Sequence, residues 1–394
     1  MRQLGLIEDG AILIVDGVIE NVGPTRRIEN LAGARSAEEI NAAGRVVMPG
    51  LIDSHTRIIA APPRVGDSRP AIGADHPMNR NITQVNAEHI RRSTAASLDH
   101  QARRFLAASI RHGATTLEGK SGFGQDESGE IKMLKVLAQL ASYGANVVPT
   151  FLAPHMPPSN FNGSTDDFVR WICESLIPKV KQRNLAQFVD AFCDSSGFNV
   201  SQAGAILDTA RRVGLAAKLQ AEYTSRTGAV RMAVEMGAVS VDGLNYIDTA
   251  DIQTLAGSRT IGVVMPGPMH QGYASRFAPV RQMIDAGVAV GLASGFHPQF
   301  SATLNMMTVI GIACTHMGMT PEEAITAATV NGAYSVGKGS MAGSLVYGRE
   351  ADLIMLTISD YREIPYNFGV NLVAMTMRKG QVMYREGAVE WNPE

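Results

Sequence analysis

Cysteine is scarce. Only Cys173, Cys193 and Cys314 occur in 394 residues, isolated and odd in number. They make neither a zinc knuckle nor a disulfide framework, which points to a reducing, cytoplasmic setting. Charge of one sign is lacking too: 35 Lys and Arg stand against 37 Asp and Glu, a formal net charge of -2. Such a balance argues against a nucleic-acid or anionic-membrane surface. No apolar run approaches the ~20 residues of a membrane span. The opening Met1-Arg2-Gln3-Leu4-Gly5 lacks the apolar stretch of a signal peptide. There is no tandem repeat of short period and no low-complexity tract. What is present is apolar material: 45% of the residues are hydrophobic and 18% charged. That suffices for a sizeable core, and the length suits a large barrel plus a modest second unit.

Short β-rich runs are predicted at 47–55, 114–120, 146–153, 187–194, 216–222, 238–244, 260–266 and 288–294. Amphipathic helical stretches separate them, at 87–111, 131–142, 166–181, 201–212, 225–236, 248–256 and 278–286, followed by 304–317 and 320–336. Strand–helix alternation about eight times over some 250 residues predicts a closed parallel (β/α)8 TIM barrel. Runs such as Ala289-Val290-Gly291-Leu292-Ala293 are continuously apolar, as in strands buried on both faces. The flanks differ. Residues 11–22 read as a hairpin turning at Asp16-Gly17, and the C-terminal piece is again β-rich, with a turn at Lys379-Gly380. The expected α/β architecture is a barrel over 50–345 with a small β-sandwich built from both termini, 1–49 and 346–394. Residues 60–85, rich in Pro, Gly and Arg, follow the first barrel strand and read as a lid or binding loop.

Several stretches carry a specific likeness. They are Val46-Val47-Met48-Pro49-Gly50-Leu51-Ile52-Asp53-Ser54-His55-Thr56-Arg57, residues 113–124 (Gly-Ala-Thr-Thr-Leu-Glu-Gly-Lys-Ser-Gly-Phe-Gly), Thr150-Phe151-Leu152-Ala153-Pro154-His155, Phe192-Cys193-Asp194, Lys218-Leu219-Gln220-Ala221-Glu222 and Pro365-Tyr366-Asn367. With Gly348-Arg349-Glu350-Ala351-Asp352-Leu353, the chain resembles the amidohydrolase superfamily over nearly its whole length, and within it the imidazolonepropionase family. The resemblance implies a barrel with a split β-sandwich, a cytoplasmic homodimer, and hydrolytic opening of a cyclic amide. It also implies one divalent metal held by four groups.

That metal set is broken in this sequence. His55 matches the first ligand. Two imidazoles two apart on a strand would point the same way, but the second position is Arg57, and a guanidinium is not a ligand. Gln220 stands where the fifth-strand histidine is expected, and Gly295 where an aspartate follows the eighth strand. Gly243 replaces the catalytic histidine of the sixth strand. One ligand of four remains, whereas catalytic zinc takes three protein ligands and an open position. The expectation is no active-site metal and no other cofactor. On the substrate side, Arg64 matches the family arginine directed at the substrate carboxylate. His155 matches a histidine that touches the substrate ring, and Glu222 the glutamate that works with metal-bound water. Phe123 replaces a tyrosine, and His297 an asparagine.

Each candidate has an ordinary reading beside the functional one. Arg57 stands in for the lost cation, or it simply pairs with Glu222. His55 binds ligand, or hydrogen-bonds Gln220 or Asp53. Lys120 serves the site or forms an ion pair in the barrel mouth. Arg64 and His297 bind ligand or are solvated loop groups. Cys193 reads as core, and His76, His89, His100, His112 and His316 read as surface. Gly243 and Gly295 open space in the mouth. The expected function is metal-independent chemistry on a small anionic, carboxylated cyclic amide, imide or related ring, by hydrolysis, cyclisation or isomerisation. His155, Glu222 and His297 are the expected acid–base groups. Arg57, Arg64, His55, Lys120, Phe123 and Gln220 are the expected binding groups. A non-catalytic pseudoenzyme or metabolite-binding protein is the alternative, and a conventional metal-dependent hydrolase a third reading.

Overall fold

The computed structural model describes residues 1–62, 80–270 and 276–387. Expected features at 63–79, including Arg64 and His76, lie outside them. The hairpin at the start forms as read. Strands β1 (Gly10–Val15) and β2 (Val18–Pro24) pair antiparallel. Asp16 at φ 50° and Gly17 at φ 79° make the turn, the left-handed pair that matches the twist of a two-residue hairpin. Strand β3 (Val47–Pro49) then leads through Gly50 into β4 (Leu51–Thr56).

From β4 the chain alternates strand and helix. The strands are β5 (Ala114–Lys120), β6 (Asn146–Leu152), β7 (Phe188–Cys193), β8 (Ala216–Ala221), β9 (Ser240–Gly243), β10 (Ile261–Val264) and β11 (Val290–Leu292). They form one eight-stranded sheet in sequence order, parallel at every pairing. The seam between β4 and β11 is closed by a parallel bridge between Thr56 and Phe296 and by side chains. Ser294 donates its N–H to Asp53 Oδ1 at 2.9 Å, and Ser54 Oγ donates to the Leu292 carbonyl. This is a (β/α)8 barrel.

Helices pack outside the sheet, and their starts are encoded locally. Asn199 with Gln202, Asp248 with Asp251, and Thr320 with Glu323 each form a reciprocal capping box. The 87–111 stretch, expected as one helix, is two: Arg80–Arg92 and Ala95–Arg111. They break at Ser93, and Thr94 caps the second through Ser97 N–H. The loop expected at 60–85 is therefore shorter at its end, because Arg80 onward is helical.

After the barrel, β12 (Leu353–Leu356), β13 (Val373–Arg378) and β14 (Gln381–Arg385) form a four-stranded sheet with β3 in the order β14-β13-β12-β3. Leu353, Met355, Met375 and Met377 are buried on it against Ile12 and Ile14 of β1. Both ends of the chain thus build one layered β unit. Among the described residues no helix is long and apolar enough to cross a membrane.

Candidate active site

Strand period places polar groups inside the barrel. Residues two apart share a face, and Glu118 and Lys120, Lys218 and Gln220, and Ser240 and Asp242 alternate with outward apolar neighbours such as Leu117, Leu219 and Val241. These strands are therefore not the uniformly apolar runs expected from β11. The result is a buried charged layer. Lys120 Nζ lies 2.6 Å from Asp190 Oδ2 and 2.7 Å from Asp242 Oδ2, and Lys218 Nζ lies 2.5 Å from Glu118 Oε2. Burial pushes the Glu118 and Asp190 carboxyls up. It also works to raise Asp242, but Lys120, Lys218 and a hydrogen bond from His55 outweigh it and hold that carboxyl well below the usual range. Lys120 lies inside this layer.

Above the layer, at the C-terminal ends of the strands, is a small cavity of about 30 Å³. His55 at the end of β4, Arg57 just past it and Gln220 on β8 line one part. Tyr223, Met265 and Pro268, Gly295, His297 and Phe300 complete it. This face is where barrel active sites form.

Arg57 is nearly fully buried at 3% exposure. Its Nη2 lies 3.1 Å from His155 Nε2 and 3.5 Å from Gln220 Oε1, and its guanidinium carbon is 4.6 Å from the centre of the Phe123 ring. Its Nη1 has no partner among the described residues. Burial holds its pKa down at about 10, with Asp190 and Glu130 opposing. The alternative pairing with Glu222 does not form. Glu222 instead accepts hydrogen bonds from the backbone N–H groups of Thr227, Gly228 and Ala229 at 2.7, 2.8 and 3.0 Å, and from Thr227 Oγ1 at 2.9 Å. Both carboxylate oxygens are spent on the start of the helix Ala229–Glu235, and Glu222 is not among the residues lining the cavity.

The protonation of three histidines follows from their partners. His55 Nδ1 is 2.8 Å from Asp242 Oδ2, not on Gln220 or Asp53 as the ordinary reading had it. Asp242 is held ionised, so His55 Nδ1 carries the hydrogen and Nε2 keeps its lone pair. Burial, then Lys120, pushes His55 down to about 3, so the ring is neutral. His297 Nδ1 accepts the Gln299 N–H at 3.1 Å, which places its hydrogen on Nε2, and that atom is buried without a partner among the described residues. His155 Nε2 accepts from Arg57, because a guanidinium has no lone pair to offer. Its Nδ1–H is likewise buried and without a partner among the described residues. Burial and Arg57 hold both rings well below the usual histidine pKa. His297 also stacks on Phe300 and meets Phe123 edge-on.

The two glycines do not open the mouth. A Cβ at Gly243 would lie 2.7 Å from the Ala221 carbonyl oxygen and 3.3 Å from Tyr223 Cδ2. A Cβ at Gly295 would lie 2.8 Å from Pro268 Cγ. The space expected there is filled by Tyr223 and Pro268.

A divalent ion does not fit this set. The four relevant positions offer one imidazole lone pair, a carboxamide, a guanidinium and no side chain. Among the described residues no group of three or more His, Cys, Asp or Glu is placed to hold a metal ion. A dication about 4 Å from the guanidinium would meet repulsion on the order of 8 kcal/mol at an effective dielectric of 20.

The sequence reading did not single out Asp242, Asp190, Glu118, Lys218 or Tyr223. The signal available was polar residues at period two inside otherwise apolar strands.

The family model described as Amidohydrolase family matches residues 46–383. The chain belongs to the amidohydrolase family. It is 35% identical over 396 residues to imidazolonepropionase of Geobacillus kaustophilus, covering 99% of this chain and 93% of the relative. It is 37% identical over 394 residues to that of Parabacteroides distasonis, covering 97% and 93%. Solved structures of like fold include an adenosine deaminase from Xanthomonas campestris, with TM-score 0.72 and 18% identity over 96% of this chain and 89% of that one. A guanine deaminase from C. acetobutylicum has TM-score 0.72 and 15% identity over 96% and 95%. At such identities the likeness is one of fold alone.

Proposed function

We propose that this amidohydrolase-fold protein is a metal-independent enzyme acting on a small carboxylated cyclic amide, imide or related ring. The observation that carries the reading is the pair facing the cavity. His55, oriented by ionised Asp242, presents a free imidazole lone pair, and Arg57 presents an unpartnered Nη1. A carboxylate that fixes the tautomer of a neutral imidazole makes it a general base. A buried guanidinium with a free N–H stabilises negative charge on a ligand oxygen. The base is thus reassigned from Glu222 to His55. His155 becomes a positioning residue that holds Arg57 Nη2, and His297 donates Nε2–H. Protons move at His55 Nε2, which takes one from a ring N–H or a water beside it and returns it to the departing or newly formed group.

The test is turnover of a panel of five- and six-membered cyclic amides and imides bearing a carboxylate, by chelator-dialysed protein of known metal content. The expected result is activity that chelator leaves unchanged and that His55→Ala lowers by roughly 10²–10⁴-fold. Activity that tracks bound metal overturns the reading. Absence of turnover with Arg57-dependent binding favours the non-catalytic, metabolite-binding alternative.

A further inference from the structure

Buried polar atoms without partners are few in folded proteins, and each needs an explanation. Two such atoms, without a partner among the described residues, belong to residues that line this cavity and are no more than 3% exposed: Arg57 Nη1 and His297 Nε2. Both are donors. Arg57 has no other option, and His297 Nε2 must carry the hydrogen because the Gln299 N–H occupies Nδ1. His55, on the same cavity, presents the opposite character. Its Nδ1–H is committed to Asp242, which leaves Nε2 as an acceptor. Beside the Gln220 carboxamide and the Tyr223 hydroxyl, which also line the cavity, the wall therefore offers two donors and one acceptor on buried side chains.

From this complementarity we infer that the ligand class is a cyclic imide or ureide, a ring with one N–H flanked by two carbonyl groups. The ring N–H donates to His55 Nε2, one carbonyl oxygen accepts from Arg57 Nη1 and the other from His297 Nε2. A lactam satisfies only one of the two donors. A carboxylate satisfies donors but leaves the His55 lone pair without a hydrogen, and a cyclic imide alkylated on nitrogen does the same. Apolar walls from Met265, Pro268 and Phe300 suit the flat faces of a small ring, and a cavity of about 30 Å³ limits its size. This inference rests on the reading of the cavity as the ligand site and narrows it to one hydrogen-bond pattern.

Calorimetric titration of the full-length protein with succinimide, N-methylsuccinimide, 2-pyrrolidinone and succinate tests it. Leaving one buried group unpaired weakens binding by about tenfold or more. Succinimide should therefore bind at least tenfold tighter than N-methylsuccinimide and 2-pyrrolidinone. His297→Phe keeps a ring on Phe300 but removes the second donor, so it should erase the preference for succinimide over the lactam. The comparison among the four probes uses the unaltered protein and stands even where the variant misfolds. Equal binding of succinimide and its N-methyl derivative overturns the inference, as does equal binding of imide and lactam. If succinate or the lactam binds in an Arg57-dependent way without a preference for the imide, only the imide inference falls. If none of the four binds, the cavity is not the ligand site and both readings fall.

Discussion

Replacing Arg57 with Met should stabilise the fold while removing ligand binding. Burial holds the guanidinium at about 10 against an ordinary 12.5, and one pKa step is about 1.36 kcal/mol. Keeping the group charged inside the barrel therefore costs about 3 kcal/mol, with its contacts to nearby carboxylates already counted. Met fills a similar volume without a charge. It strands the His155 lone pair, a loss of about 1 kcal/mol, so the net gain is about 1–3 kcal/mol. The sign depends on pH in a defined way. The folded-state pKa of a base is lowered, so the cost is fully present below about pH 10 and fades as pH rises from there towards 12.5. With ~2.1 cal/mol/K of unfolding entropy per residue over 394 residues, the gain corresponds to a Tm rise of roughly 1–4 °C near pH 7.5. Thermal unfolding and calorimetric titration with small cyclic and acyclic carboxylates measure both sides. A more stable protein that no longer binds is the signature of a residue kept for function. A Tm several degrees lower with ligand affinity intact would refute the reasoning and make Arg57 a structural tie.

Other outcomes follow from the same geometry. Restoring His at 57 and 220 and Asp at 295 together should not yield one tightly bound zinc per chain unless Pro268→Ala is added, because of the 2.8 Å approach at residue 295; elemental analysis after dialysis checks this, and stoichiometric zinc in the triple variant contradicts it. Glu222→Gln should cost about 1–3 kcal/mol of stability by breaking its hold on three backbone N–H groups and leave ligand affinity unchanged; a selective loss of affinity would return Glu222 to the site. Burial pushes Asp53 up to about 6, so stability linked to its neutral form is complete below about pH 4 and is lost as pH rises through 6. Asp53→Asn, which can still accept from Ser294, should then stabilise by about 1–3 kcal/mol at pH 8 and hardly at all at pH 4; denaturant titrations showing equal differences at both pH values would refute this.

The barrel was legible in the sequence because helix and strand periods are local properties. Eight β-rich runs, the Asp16-Gly17 turn and the Thr320–Glu323 capping box each declare themselves within a few residues. The residue types at positions 57, 220, 243 and 295, on which the proposed metal independence rests, are likewise single-position facts of the sequence. Which partners those residues take was not legible. Glu222 and Arg57 are both candidates for one another by strand order, but a carboxylate takes the nearest strong donors, and the chain just after it supplies three backbone N–H groups. His55 meets Asp242 across 187 positions of sequence, a contact that only barrel closure creates. The glycines looked like vacated space because a sequence shows what is missing and not what moves in; Tyr223 and Pro268 fill the gap because a packed interior leaves no void where a side chain can go. The hydrogen positions on His55, His155 and His297, on which the chemistry depends, are set by neighbours brought from other strands and loops. No local pattern in the chain carries that information.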